Sequence, residues 1–84
     1  MTTVFYAATR GKRHSIRVTL EEDGTYRATF LLHANSDGTA TGYNKEQMIK
    51  RIADHIHYAK KIDGITYLIL DNDLGVPLDK DYGM

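Results

Sequence analysis

The sequence predicts an α+β domain in which an antiparallel sheet of four or five strands packs one face on a single helix. Segments with the two-residue periodicity of strands flank one segment with helical periodicity, in the order strand, strand, strand, short strand, helix, strand. The chain has 84 residues, which allow one small hydrophobic core and leave no room for a second. We therefore expect residues 1–84 to form one domain.

Three strands are predicted in the first half of the chain. Residues 4–9 are rich in β-branched and aromatic side chains and are followed by a turn at residues 10–12. Residues 15–20 alternate strictly between polar and apolar side chains, which is typical of a strand with one buried face. Residues 25–34 show the same alternation over much of their length and form the third predicted strand.

The register between the second and third strands follows from the loop that joins them. A two-residue loop at 23–24 would place Leu20 opposite Arg27, whereas a three-residue loop at 22–24 places Leu20 opposite Tyr26. We favour the longer loop, with its glycine in the left-handed conformation, because it brings apolar partners together. The arginines of both strands then lie on the opposite face. The residues that share the apolar face are Ile16, Val18, Leu20, Tyr26, Ala28 and Phe30.

The second half of the chain predicts a short strand, a helix and a last strand. Residues 39–43 form the short strand, and Asn44 with Gln47 matches a capping box at the start of a helix. Gly64 is the expected helix stop, and residues 65–70 are nearly all apolar, which predicts a central strand or one covered on both faces. The apolar residues at helical spacing are Met48, Ile49, Ile52, Ala53, Ile56 and Ala59.

Charge is divided unevenly along a chain whose net charge is zero. Residues 1–62 hold ten basic and six acidic side chains, whereas residues 63–84 hold one and five. Residues 72–84 are expected to form a largely irregular acidic tail. The basic patch on the first hairpin would attract phosphate or an acidic protein surface over roughly 8–10 Å, although the same charges also serve an ordinary hairpin by suppressing edge pairing.

Aromatic composition points to a binding surface. Six of the eight aromatic residues are tyrosines, which offer a large amphipathic contact area at a small entropic cost. Tyr26 is expected in the core, whereas Tyr58, beside the basic end of the helix, is expected to be exposed. The predicted partner-binding residues are Arg10, Lys12, Arg13, Arg17, Arg27 and Tyr58.

The sequence offers little support for catalysis, a metal site or a cofactor. His55 and His57 are two residues apart on the predicted helix and therefore point in divergent directions. Residues 71–75 resemble the start of a calcium loop, but the glycine falls at the fifth position instead of the sixth, and Tyr82 occupies the position of the bidentate glutamate. Cysteine is absent, which excludes disulfides and thiolate ligands. We predict a non-enzymatic protein with no metal and no cofactor.

No segment of the sequence predicts a membrane protein. The wholly apolar runs, such as residues 4–8 and 67–70, are far shorter than a membrane span, and no targeting segment is recognisable at the N-terminus. We therefore expect a cytosolic monomer or homodimer. The homodimer would form through a first strand that lies at a sheet edge.

The order of elements, in a chain of this length without catalytic groups, resembles the layout of anti-CRISPR proteins, which are small inhibitors encoded by phages and mobile elements. The resemblance covers the whole chain in layout and size and includes no diagnostic residue string. It implies a cytosolic inhibitor that docks rigidly on a CRISPR effector complex, in particular a type I complex.

A second resemblance covers residues 15–57. Three strands followed by a helix, with Tyr26, Arg27 and Ala28 in a strand and residues 43–46 opening the helix, are similar to the arm-type DNA-binding modules of phage integrases. That resemblance implies insertion of Arg17 and Arg27 into the major groove. We favour the inhibitor because the chain has no net positive charge and ends in an acidic segment.

Overall fold

A computed structural model describes residues 2–31 and 38–77 of the chain. It confirms the predicted α+β class, with one five-stranded antiparallel sheet and one helix packed against it. A short 3-10 turn at Arg10–Lys12 joins the first two strands. The predicted strand residues 32–34 and turn residues 35–37 lie outside the described residues. The elements are β1 (Thr2–Ala8), β2 (Ser15–Leu20), β3 (Tyr26–Leu31), β4 (Gly38–Tyr43), α1 (Lys45–Asp63) and β5 (Leu68–Asn72).

The strand order of the sheet is β4-β3-β2-β1-β5, and every neighbouring pair is antiparallel. The expectation that β1 lies at a sheet edge is wrong, because β1 pairs with β2 on one side and with β5 on the other. The long connection through α1 returns the chain from the β4 edge to the free side of β1. An edge-to-edge dimer through β1 is therefore excluded.

The last strand also differs from its prediction. It spans Leu68–Asn72 and lies at an edge of the sheet, and Leu70 is 46% exposed. Tyr67 is buried in the core but lies before the strand, and Ile65 packs against the core from the same connection. The apolar run thus reflects a buried connection followed by a half-covered edge strand.

The hairpin of β2 and β3 has the predicted three-residue loop and register. Leu20 lies opposite Tyr26, and Ile16 lies opposite Phe30. Gly24 has φ +87°, the left-handed conformation that the loop requires. Arg17 and Arg27 consequently belong to the face of the sheet that α1 does not cover, and both are exposed.

Both ends of α1 are capped as the sequence predicts. Asn44 Oδ1 accepts a hydrogen bond from the Gln47 amide at 2.8 Å, and Gln47 Oε1 accepts one from the Asn44 amide at 3.0 Å. Gly64 ends the helix in the left-handed conformation, at φ +68°. Among the described residues, no helix is long and apolar enough to cross a membrane.

The hydrophobic core lies between one face of the sheet and α1. It is completed by the segment that follows β5, where Leu74 and Val76 are both buried. The Leu74 amide donates to the Val4 carbonyl at 2.7 Å, which fixes this segment beside β1. Residues 78–84 lie outside the described residues. The side chains of the sheet and helix that form the core cluster are Phe5, Ala7, Ile16, Val18, Ala28, Phe30, Met48, Ile52, Ile56, Ala59 and Ile69.

Candidate functional site: the open face and the basic connection

The open face is the side of the sheet turned away from α1. One cross-strand row on it contains Asp71, Tyr6, Arg17, Thr29 and Thr39, contributed by all five strands. The row is dominated by polar side chains, and those of Arg17, Thr29 and Thr39 are exposed. The pattern follows from the alternation of β2 and β3, because their apolar residues other than Leu31 face α1 and their polar residues face outwards.

The central feature of the open face is a stacked pair. The Arg17 guanidinium carbon lies 4.7 Å from the centroid of the Tyr6 ring, which is the geometry of a cation–π contact. Stacking restricts the orientation of the guanidinium, while Arg17 as a whole stays exposed. The planar cation is therefore available to an acceptor on a partner.

Arg27, at another position on the open face, is already paired. Its Nε atom lies 2.9 Å from Oε1 of Glu21, and the two side chains are 49% and 21% exposed. A surface ion pair of this kind contributes about 0–1 kcal/mol to stability. Its consequence for binding is that Glu21 offsets the positive charge of Arg27, so Arg17 is the less compensated cation of the two.

The basic connection is the segment from Thr9 to His14 that joins β1 to β2. The Thr9 amide donates to the His14 carbonyl at 2.9 Å, and the His14 amide donates to Thr9 Oγ1 at 3.1 Å. Gly11, at φ +76°, supplies the left-handed residue that this tight path needs. Arg10 and Arg13 are exposed on a closed loop; Lys12 lies within its 3-10 turn.

The six predicted partner-binding residues do not form one surface. Arg10, Lys12 and Arg13 lie in the basic connection, and Arg17 and Arg27 lie on the open face. Tyr58 is 61% exposed but belongs to α1, which covers the other face of the sheet. A flat partner on the open face would therefore not reach Tyr58.

A second group of polar and aromatic side chains lies between α1 and the sheet. The ring of His55 packs against Phe30 and Tyr67, with centroid distances of 4.8 and 5.8 Å. His55 Nε2 lies 3.3 Å from the Tyr67 hydroxyl oxygen. Burial, assisted by the charge of Arg51, lowers the pKa of His55, and burial raises the pKa of Tyr67. The group lies in the packed interface, where it affects stability.

Sequence reasoning did not assign Tyr6 to the site. The register of β1 against β2 contains an irregularity between Thr3 and Phe5, and no loop rule predicts its position. The signal that could have identified Tyr6 is its place in a strand beside a strand that carries outward-facing arginines.

Neither a metal site among the described residues nor a related protein is found for this chain. Within residues 2–31 and 38–77, no group of three or more His, Cys, Asp or Glu side chains is placed to hold a metal ion. Comparison of the chain with protein-family models, curated proteins and solved structures finds no match.

Proposed function

We propose that the protein is a non-enzymatic inhibitor of the anti-CRISPR type that acts in the cytosol by docking on a type I effector complex. The observation that supports a docking role is the uncovered face of the sheet, on which Arg17 lies stacked on Tyr6 and exposed. The basic connection extends the positive surface beyond the start of β2.

Arginine and tyrosine are the residue types that contribute most strongly at protein interfaces. A stacked guanidinium retains donors for a carboxylate and loses less side-chain entropy on binding than a free one. The connection that holds Arg10 and Arg13 is closed by its own hydrogen bonds. The partner surface that complements these groups is acidic and needs no rearrangement of the sheet.

A protein partner agrees better with the charge distribution than a nucleic acid does. Glu21 is paired with Arg27, and Asp71 lies beside Tyr6 in the same row as Arg17. These carboxylates would oppose a phosphate backbone running along the whole open face. Over the full chain the basic and acidic side chains balance, whereas duplex binding depends on neutralising many phosphates.

The test is a charge reversal at the proposed interface. Arg13→Glu combined with Arg17→Glu should slow association with a purified type I effector complex by about tenfold or more, because complementary charges accelerate encounter. The measurement is association kinetics on the immobilised complex at low salt. The matched control reverses two exposed lysines of the helix layer, Lys45 and Lys50, and should leave the rate within about twofold.

Two results would contradict the proposal. One is equal association rates for the two double variants, and the other is failure of the unmodified protein to bind any type I complex. Binding of random duplex DNA that weakens steeply between two salt concentrations would support the integrase-like DNA-binding module instead.

A further inference from the structure

A cleft lies where the basic connection meets the segment between α1 and β5. Its volume is about 510 Å³, within the range of about 300–1,000 Å³ that is usual for small-molecule sites. The two walls come from segments that are distant in the sequence. The residues lining it are Thr9, Arg10, Arg13, His14, Ile65, Thr66 and Leu68.

The two walls of the cleft differ in chemistry. The connection contributes two basic residues, Arg10 and Arg13, whereas the opposite wall contributes two aliphatic residues, Ile65 and Leu68. Among the described residues, the lining includes no carboxylate to offset the arginines. The cleft is therefore suited to a ligand that has an anionic end and an apolar body.

A histidine of the lining has unmet hydrogen-bonding capacity. His14 Nδ1 is buried and has no hydrogen-bond partner within the part of the chain that the structure describes. An unsatisfied buried nitrogen is unfavourable in a folded protein. In the tautomer that carries the hydrogen on Nδ1, a small rotation of the ring on ligand binding would let this nitrogen donate a hydrogen bond to an oxyanion.

The backbone that bears the two arginines is fixed before any ligand arrives. Thr9 and His14 close the connection with three hydrogen bonds, at 2.9, 3.1 and 3.5 Å. A Cβ atom added at Gly11 would meet only the Arg13 side chain, at an ordinary contact distance of 3.9 Å from its Cγ atom. Binding therefore requires ordering of two side chains and no folding of a loop, which lowers its entropic cost.

We propose that this cleft binds a phosphate monoester linked to an apolar or aromatic group, of which a nucleoside monophosphate is the simplest example. A phosphate dianion accepts several hydrogen bonds from planar guanidinium groups. The base or other apolar body would pack on Ile65 and Leu68. The ligand would be either a free nucleotide or the phosphorylated end of a nucleic-acid strand. Both present the same phosphate monoester joined to a nucleoside.

The test titrates the isolated protein with three probes: adenosine monophosphate, adenosine and inorganic phosphate. Amide chemical shifts in two-dimensional NMR report both the affinity and the location of binding. We expect the monophosphate to bind at least about tenfold more tightly than either of the other probes, because each of those lacks one half of the recognition. The shifted amides should belong to residues 9–14 and 65–68.

Single substitutions distinguish binding in the cleft from a general effect of positive charge on the affinity. Arg10→Gln and Arg13→Gln should each weaken monophosphate binding by about tenfold, in line with the loss of a charge-assisted hydrogen bond. Arg27→Gln removes the same charge from the open face and should change the affinity less than about twofold. A far-ultraviolet circular dichroism spectrum of each variant checks that the fold is retained.

The proposal is overturned if the monophosphate binds no better than adenosine, if both cleft variants bind as the unmodified protein does, or if the shifts lie elsewhere. Short oligonucleotides with and without a 5′-phosphate distinguish the two ligand sources. Tighter binding of the phosphorylated oligonucleotide than of the free nucleotide identifies the end of a nucleic-acid strand as the ligand. Tighter binding of the free nucleotide identifies the nucleotide. No effector complex is present, so this test is independent of the proposed function.

Discussion

The two faces of the sheet differ in the polarity and the exposure of their side chains. On β2, Ile16 and Val18 are fully buried against α1, whereas Arg17 between them is exposed and stacked on Tyr6. One face consists of packed apolar side chains, and the other consists mainly of polar ones that no element of the described part of the chain covers. The packed core thus lies on one side of these strands, and the surface that we propose for recognition lies on the other.

This separation has a consequence for mutation. Residues on the covered face touch many neighbours, and their truncation leaves a cavity in the core. A domain of this size has only one small core, so the lost packing is not compensated elsewhere. Residues of the open face make fewer intramolecular contacts, and their replacement changes mainly what the surface offers to a partner. The face of a side chain should therefore decide whether its loss affects folding or binding.

The largest effect is expected from a matched truncation on the two faces. Ile16→Ala should lower the free energy of unfolding by about 2–5 kcal/mol, because it empties space in the core. Leu31→Ala removes the same number of carbon atoms from a side chain that is 48% exposed, and should cost less than about 1 kcal/mol. Urea unfolding followed by circular dichroism measures both values.

The ratio of the two losses is the informative quantity. Similar losses would mean that the open face is covered in solution, for example by a second copy of the chain, and that its exposure in the monomer is misleading. In that case the midpoint of unfolding should also rise with protein concentration.

The sequence was sufficient for features that depend on local spacing. The loop at residues 22–24 and the register of Ile16 with Phe30 could be derived because only one loop length brings apolar residues together. The capping box of Asn44 and Gln47 is equally local. The same alternation correctly placed Arg17 on the open face.

Features that depend on long-range packing could not be predicted. The edge position of β5 depends on where α1 returns the chain, and an apolar run such as residues 65–70 does not distinguish a central strand from a buried connection. The cleft joins Arg13 to Ile65 and Leu68 across more than half the sequence. The stacking of Arg17 on Tyr6 depends on a register set by an irregularity in β1.

A smaller effect is expected from the stacked pair on the open face. A double-mutant cycle with Tyr6→Leu and Arg17→Met should give a coupling energy of about 0.5–1 kcal/mol, as is usual for exposed cation–π pairs. Urea unfolding of the two single variants and the double variant provides the measurement. The control cycle pairs Tyr6→Leu with Arg27→Met, where additivity is expected because the guanidinium of Arg27 forms an ion pair with Glu21. Additivity in the first cycle as well would mean that the stack does not persist in solution.

The smallest effect is expected from the polar group on the covered side. The pKa of His55 is lower than the ordinary histidine value of 6.5. Burial of the ring is the main cause, and the charges of Arg51 and His14 add to it. The unfolded chain therefore binds a proton more readily than the folded chain does. The free energy of unfolding should be highest above about pH 6.5 and should decrease as the pH falls from there towards the folded-state pKa.

Replacement of the imidazole tests this dependence. His55→Gln should flatten the decrease, because the variant has no group at that position to protonate, whereas His57→Gln should preserve it, because His57 is exposed on the same helix. Chemical denaturation at pH 7.5, 6.5 and 5.5, that is, about one unit either side of the ordinary histidine pKa, provides the comparison. If His55→Gln retains the full decrease and His57→Gln removes it, the covered face does not resist protonation, and the acid sensitivity belongs to the exposed side of α1.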